Sequence, residues 1–303
     1  SLEDLKNFRQ LGSKTPGHPE YNDTEGVETT TGPLGQGFAN AVGMAITEKM
    51  LAEKYNTAEH TIIDHYTYTI LGDGCMMEGI TSEAASYAGH LGLEKLIAIY
   101  DDNNISIEGK TDITFTESVV DRFKSYGWHV IEDVDGHDID AVKEAIAEAK
   151  ASDQPTLIDA NTKIAYGAPE KEGTSDAHGA PLGAEDIQGL KEKFDLPVDE
   201  EFYVSDAVRD FFAERKEQLV AERKEWAAEF EEWAQANPKL KEQWDQAHNL
   251  ELPEDLAELV EAVELDTPRA TRKASGPTLR AIADRVPYLV GGSADLAPST
   301  KTY

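Results

Sequence analysis

Two polar strand ends carry the residue types most able to do chemistry in this chain. The first is LGDGCMMEG, residues 71–79, in which Asp73 stands between Gly72 and Gly74. The second is YDDNNIS, residues 100–106, with Asn103 thirty positions after Asp73. An Asp at a strand end is cheap to solvate, and turn chemistry alone accounts for many such residues. The flanking glycines argue for more, because they strip side chains from a place where something approaches the backbone. One carboxylate, one amide oxygen and one backbone carbonyl suit a hard cation such as Mg²⁺, which keeps few protein oxygens and takes the rest from phosphate and water. Three protein oxygens leave room for a diphosphate, and the glycines let it reach backbone amides at a helix N-terminus.

For the two ends to meet they must lie on one edge of a sheet, and ligands bind beyond the carboxyl ends of parallel strands. The pattern along the chain supplies such a sheet. Strands are expected at HYTYTI (65–70), KLIAIYDD (95–102), YGWHVIEDV (126–134) and PTLIDANT (155–162), with helices at 35–54 and 140–150. Strands alternating with helices predict an α/β domain, a parallel sheet with helices on both faces. A long charged helix is expected over 205–236, ended by Pro238, with Val208, Phe211, Phe212, Leu219, Phe230 and Trp233 read as core. A further helical stretch at 254–264 precedes TPRATRKASGPTLRAIADRVP and then YLVGGSADLAPST, read as a strand entering a Gly-rich turn. The expected domain boundary lies near Leu250.

Composition narrows the function classes. The chain has 303 residues, enough for about two domains with sizeable cores. Its 59 acidic against 28 basic residues, net charge −31, argue against nucleic acid or an anionic membrane surface as partner. Such a charge self-repels at low ionic strength, so adaptation to high salt is expected. No apolar run approaches the roughly 20 residues of a membrane span, and the first residues lack signal-peptide anatomy, so a cytoplasmic address is expected. The single cysteine, Cys75, excludes an internal disulfide framework and a Cys-based zinc site.

GDG followed about thirty residues later by NN resembles the thiamine diphosphate signature. The surrounding motifs specify the family further. SKTPGHPE (13–20), GVETTTGPLGQG (26–37), GDGCMMEGI, YDDNNISI, SDAHGAPLG (175–183), RKAS (272–275) and GGSADLAPS (291–299) together resemble transketolase, in order and over nearly the whole chain.

The resemblance implies a thiamine diphosphate-binding fold: residues 1–250 as a diphosphate domain lacking its N-terminal part, and 251–303 as a linker and the first elements of a pyrimidine domain. It implies that Asp73, Asn103 and the carbonyl of Ile105 ligate Mg²⁺, with Ca²⁺ as an alternative, and that Gly74 and His178 lie near the diphosphate. Gly32, Pro33 and Leu34 of the GPLG turn would meet the cofactor's rings, and His18 would face the donor sugar, His18 and His178 sharing the proton transfers. Glu78 and Glu83 fall where the family places a carboxylate cluster linking two active sites across a homodimer, although Glu78 also suits a helix start. Arg272 and Ser293 match residues that hold a substrate phosphate; a guanidinium is suited to such a clamp. His65, His129 and His137 are read as structural.

The implied activity is transfer of a two-carbon ketol unit from a ketose phosphate to an aldose phosphate. Dihydroxyacetone synthase and deoxyxylulose-phosphate synthase are close relatives; TPGHPE and GGSADLAPS favour transketolase over the latter. Relatives carry an activating Glu well downstream of GGSADL and about one hundred residues ahead of LKNFRQL. The chain by itself is therefore expected to be inactive, as a silent cofactor-binding module or as one subunit of a split enzyme.

Overall fold

The computed structural model describes residues 1–266, 268–293 and 295–302; Thr267 of TPRATRKAS and Ala294 of GGSADLAPS lie outside the described residues. The chain forms two compact units, 1–220 and 221–303.

The first unit is built on a four-stranded sheet, β1 (Thr67–Gly72), β2 (Leu96–Asp102), β3 (His129–Asp135) and β4 (Thr156–Asn161), in the order β1-β2-β4-β3. Every pairing in it is parallel. Helices α1 (Gln36–Tyr55), α2 (Gly79–Leu91), α3 (Val119–Ser125) and α4 (Ile139–Lys150) pack around it. The expected α/β class is thus the observed one.

Strand alternation divides the core between the two faces. Leu96, Ala98 and Tyr100 of β2 join Phe38, Ala85, Phe123 and Trp128 in one cluster, on the α1, α2 and α3 side. Ile97 of the same strand joins Ile158, Ala145 and Ala149 in the other, against α4. Caps fall where short polar side chains precede a helix. Ser118 Oγ accepts from the Asp121 amide at 3.1 Å, and Asp138 Oδ1 accepts from Asp140 and Ala141. A close approach fixes α2 against the turn before β3: a Cβ on Gly89 would lie 1.9 Å from the Tyr126 carbonyl oxygen. The Trp128 indole N–H donates to Ala85 O beside it, at 2.8 Å.

The second unit contains the later turns of α5 (Asp206–Ala236), then α6 (Pro238–His248), α7 (Leu256–Glu261) and α8 (Thr271–Ala283). Phe230 and Trp233 of α5 pack on Trp244 of α6, with ring centroids 5.2 and 5.9 Å from it. The remaining expected core residues of α5 depart from the reading: Phe211 and Phe212 are each 64% exposed, and Val208 and Leu219 are also exposed. Helical spacing puts residues on one face but does not supply something to cover it. A second departure is at 288–293, which forms no strand. Leu289 and Val290 are exposed there and pair with no described strand, and the Leu289 amide donates instead to Val286 O at 3.0 Å.

Candidate functional site

Leu71 pairs with Tyr100 and Gly72 with Asp101, so the GDG and NN segments leave the sheet side by side, at the carboxyl ends of β1 and β2. Asp73 opens a short helical turn, Asp73–Met77, and is only 3% exposed. Its carboxylate is held at both oxygens. Oδ1 accepts from the Tyr100 hydroxyl at 2.7 Å; Oδ2 accepts from the main-chain N–H of Asn104 at 3.0 Å and of Asn103 at 3.4 Å. Asn104 reaches this geometry with φ of 60°, in the left-handed region that Asn tolerates. Asn103 Oδ1 accepts from the Ile105 amide at 3.0 Å, which orients that side chain, and Ile105 is buried.

The acidic character deepens behind this carboxylate. Asp73, Asp102 and Asp159 line a cavity of about 190 Å³ with Tyr100, Asn104 and Thr111. Burial, with the charges of Asp73 and Asp159 nearby, pushes the Asp102 carboxyl up to about 6. Burial likewise raises Asp159, and it raises the Tyr100 hydroxyl, which the bond to Asp73 keeps in its donor form. Asp159 is 6% exposed, and among the described residues its Oδ1 has no hydrogen-bond partner. Tyr100 and Asp159 were not singled out from the sequence; in a strand buried on both faces neither stands out from its apolar neighbours.

The GPLG turn comes to the same end of the sheet. Gly32, Pro33 and Leu34 line a groove of about 450 Å³ with Cys75 and the β1 residues 68–71. Leu34 Cδ1 lies 3.1 Å from where a Cβ on Gly74 would stand, so Gly74 keeps open the space beside that leucine. Gly35, with φ of +77°, caps α1 and touches the start of α2: a Cβ there would come within 2.9 Å of Glu78 Cβ and 2.8 Å of Thr81 Oγ1. His18 is exposed and lies over the same turn, its ring carbon Cγ 3.0 Å from the Cβ position of Gly32. Arg9 donates to Gly179 O at 3.3 Å, which ties the segment after His178 to the one that carries His18.

Glu78 and Glu83 are exposed at the start of α2. Arg272 is exposed on α8, and Ser293 Oγ accepts from the Leu296 amide; both belong to the second unit. Among the histidines read as structural, His129 meets Glu148 at 3.0 Å. His137 Nε2 accepts from the Lys163 amide, and its ring stacks on Tyr166.

Comparison with known proteins decides the family. The family model described as transketolase, thiamine diphosphate binding domain, matches residues 1–253. The chain belongs to the transketolase family. It is 49% identical over 302 residues to a transketolase of Halalkalibacterium halodurans and 49% identical over 304 to one of Bacillus subtilis. All of this chain is covered in both alignments, against 45% and 46% of those relatives. Among solved structures, transketolase from Leishmania mexicana superposes with a TM-score of 0.94 at 45% identity. A Pichia stipitis transketolase in complex with sedoheptulose-7-phosphate does so at 0.94 and 46%. Each match covers all of this chain and 45% of the solved one. The chain thus spans just under half the length of these transketolases, and its residues 1–253 match the thiamine diphosphate binding domain.

Whether a divalent cation fits can be judged from the donors. Among the described residues no three His, Cys, Asp or Glu side chains are placed to hold a metal ion. A cation beside Asp73 would therefore rest on one carboxylate, neutral oxygens and the ligand's own phosphates, the mixture Mg²⁺ accepts. Space exists for those phosphates, since a Cβ added at Gly72 would meet nothing within 4 Å.

Proposed function

We propose that this chain is the diphosphate-binding part of a Mg²⁺-dependent transketolase, which moves a two-carbon ketol unit from a ketose phosphate to an aldose phosphate. The reading rests above all on the grip on Asp73. A buried carboxylate at the meeting of two parallel strand ends, oriented through both oxygens, is what a cation shared with a diphosphate needs.

In this reading Asp73, Asn103 and the Ile105 carbonyl ligate the cation. Gly74 and His178 lie near the diphosphate, and Gly32, Pro33 and Leu34 receive the ring system. Thiamine diphosphate, when bound, supplies the electron sink for breaking the carbon–carbon bond next to the ketose carbonyl. The chain's own contribution is orientation and proton handling: His18, exposed over the GPLG turn, stands on the donor-sugar side and moves protons with His178. Glu78 and Glu83 belong to the carboxylates that link two sites in a homodimer, and Arg272 and Ser293 hold the substrate phosphate. A domain boundary near Leu250 and a cytoplasmic location complete the proposal.

The test is calorimetry. Thiamine diphosphate should bind in the presence of Mg²⁺ and not in EDTA, and Asp73→Ala should abolish the Mg²⁺-dependent part. Unchanged affinity in that variant would show the cation site to be elsewhere.

A further inference from the structure

The second unit holds a cleft that the cofactor reading does not use. It has a volume of about 470 Å³ and is bordered by Arg269, Lys273, Arg280 and Lys301, with Asp266 the one acidic residue among the described residues that line it. Four cations gather here on a chain where acidic residues outnumber basic ones by 59 to 28. Several basic side chains elsewhere meet acids: Lys49 meets Glu94, Lys241 meets Asp245 and Arg285 meets Asp255. Among the described residues, the side chains of Lys273 and Arg280 make no hydrogen bond or ion pair. Both side chains border the cleft, so two cations are open to it.

The cleft is also built. Pro277 sits inside α8 and has no N–H, so the Lys273 carbonyl four residues earlier lacks its helical donor. Arg269 Nη1 donates to that carbonyl at 3.3 Å. The same guanidinium donates through Nε to Asp266 O at 2.8 Å and meets the Asp266 carboxylate at 3.2 Å, and its side chain is only 21% exposed. Arg269 is thus held at the rim with its remaining N–H groups uncommitted. On the other wall the stem of Lys301 crosses α8 at Gly276, where a Cβ would stand 2.7 Å from Lys301 Cβ. Proline and glycine at successive positions of one helix therefore shape the cleft, one by releasing a carbonyl, the other by admitting a lysine.

We propose that this cleft is an anion-binding site for a phosphate group, either free or carried as a phosphoester. Two guanidinium groups and two ammonium groups around a polar cleft suit a compact dianion with several oxygens, where charge and hydrogen bonding act together. The site is separate from the one proposed for the substrate phosphate, since neither Arg272 nor Ser293 borders it. It is also independent of the cofactor reading, as every residue named lies in the second unit.

The test is calorimetric titration of the 303-residue chain in EDTA, which removes the divalent cation that the proposed cofactor site requires. Inorganic phosphate and ribose 5-phosphate are run in parallel. Saturable binding of at least one of them is expected, and the tighter of the two identifies the source. Lys273→Gln combined with Arg280→Gln should weaken that binding about tenfold or more, while Arg272→Gln should change it less than about twofold. Gly276→Ala, which keeps every charge and displaces Lys301, should also weaken it, and far-UV circular dichroism reads whether each variant has folded. Absence of binding by the wild type up to about 10 mM of either anion, equal affinity in the double variant, or a loss in Arg272→Gln as large as in the double variant would each overturn the proposal.

Discussion

Tyr100 and Asp73, 27 positions apart in the chain, meet through one hydrogen bond, with the hydroxyl donating to Oδ1 across 2.7 Å. Both residues are buried, at 4% and 3% exposure, so the bond is shielded from bulk solvent. Tyr100→Phe should therefore cost about 1–3 kcal/mol of stability, the range for stranding a buried acceptor. Urea unfolding with EDTA present measures it, and a midpoint equal to the wild type would mean that the Asp73 carboxylate finds another donor.

The acidic cavity gives a pH dependence with a definite sign. The Asp102 carboxyl is raised from 3.8 to about 6 in the folded chain, above all by burial. A folded pKa above the unfolded one means that the folded state holds the proton more tightly. The stabilisation is then complete below the unfolded pKa and is lost as pH rises from about 4 to about 6. In metal-free protein, Asp102→Asn should be more stable than the wild type at pH 7, and the difference should shrink as pH falls through that window. A difference independent of pH would rule out Asp102 as its source.

Two glycines of one helix region should respond in opposite ways to alanine. At Gly35, with φ of +77°, the new Cβ would sit 2.8 Å from Ile80 Cγ2 and from Thr81 Oγ1. Gly35→Ala should destabilise by about 2 kcal/mol or more and, by shifting the GPLG turn, lower affinity for thiamine diphosphate. Gly43 lies within α1 with nothing within 4 Å of its Cβ position, and Gly43→Ala should stabilise by about 0.5–1 kcal/mol. Thermal unfolding and cofactor titration of the two variants side by side check both.

Salt should stabilise this chain. With a net charge of −31, its repulsion is strongest when screening is weak. The unfolding temperature should rise between about 0.1 M and about 2 M KCl, where the screening length falls from about 10 Å to a few Å. A flat response would return the acidity to an ordinary solvated surface.

The sheet and the GDG and NN pair were legible because each signal was local: alternating strand and helix patterns set the class, and Asp73 and Asn103 each lie next to the end of a strand. The partner of Asp73 was not, since a tyrosine in a buried strand reads as packing until the strand beside it is known. Asp159 was hidden for the same reason, in a strand whose first five residues are all buried. Phe211 and Phe212 misled in the other direction, because an aromatic pair on a helix states an apolar preference without naming its cover. The run at 288–293 has strand composition, but composition cannot provide the neighbour that a ladder needs.

Two of the three donors that hold Asp73 are main-chain N–H groups, of Asn103 and Asn104. No substitution other than proline removes a main-chain donor, so this grip is inherited with the path of the chain and not with the identity of its side chains. What position 104 must preserve is a conformation, φ of 60°, which asparagine, aspartate and glycine enter at low cost. Aspartate or glycine at 104 should therefore leave the orientation of the Asp73 carboxylate intact, where a β-branched residue would strain it.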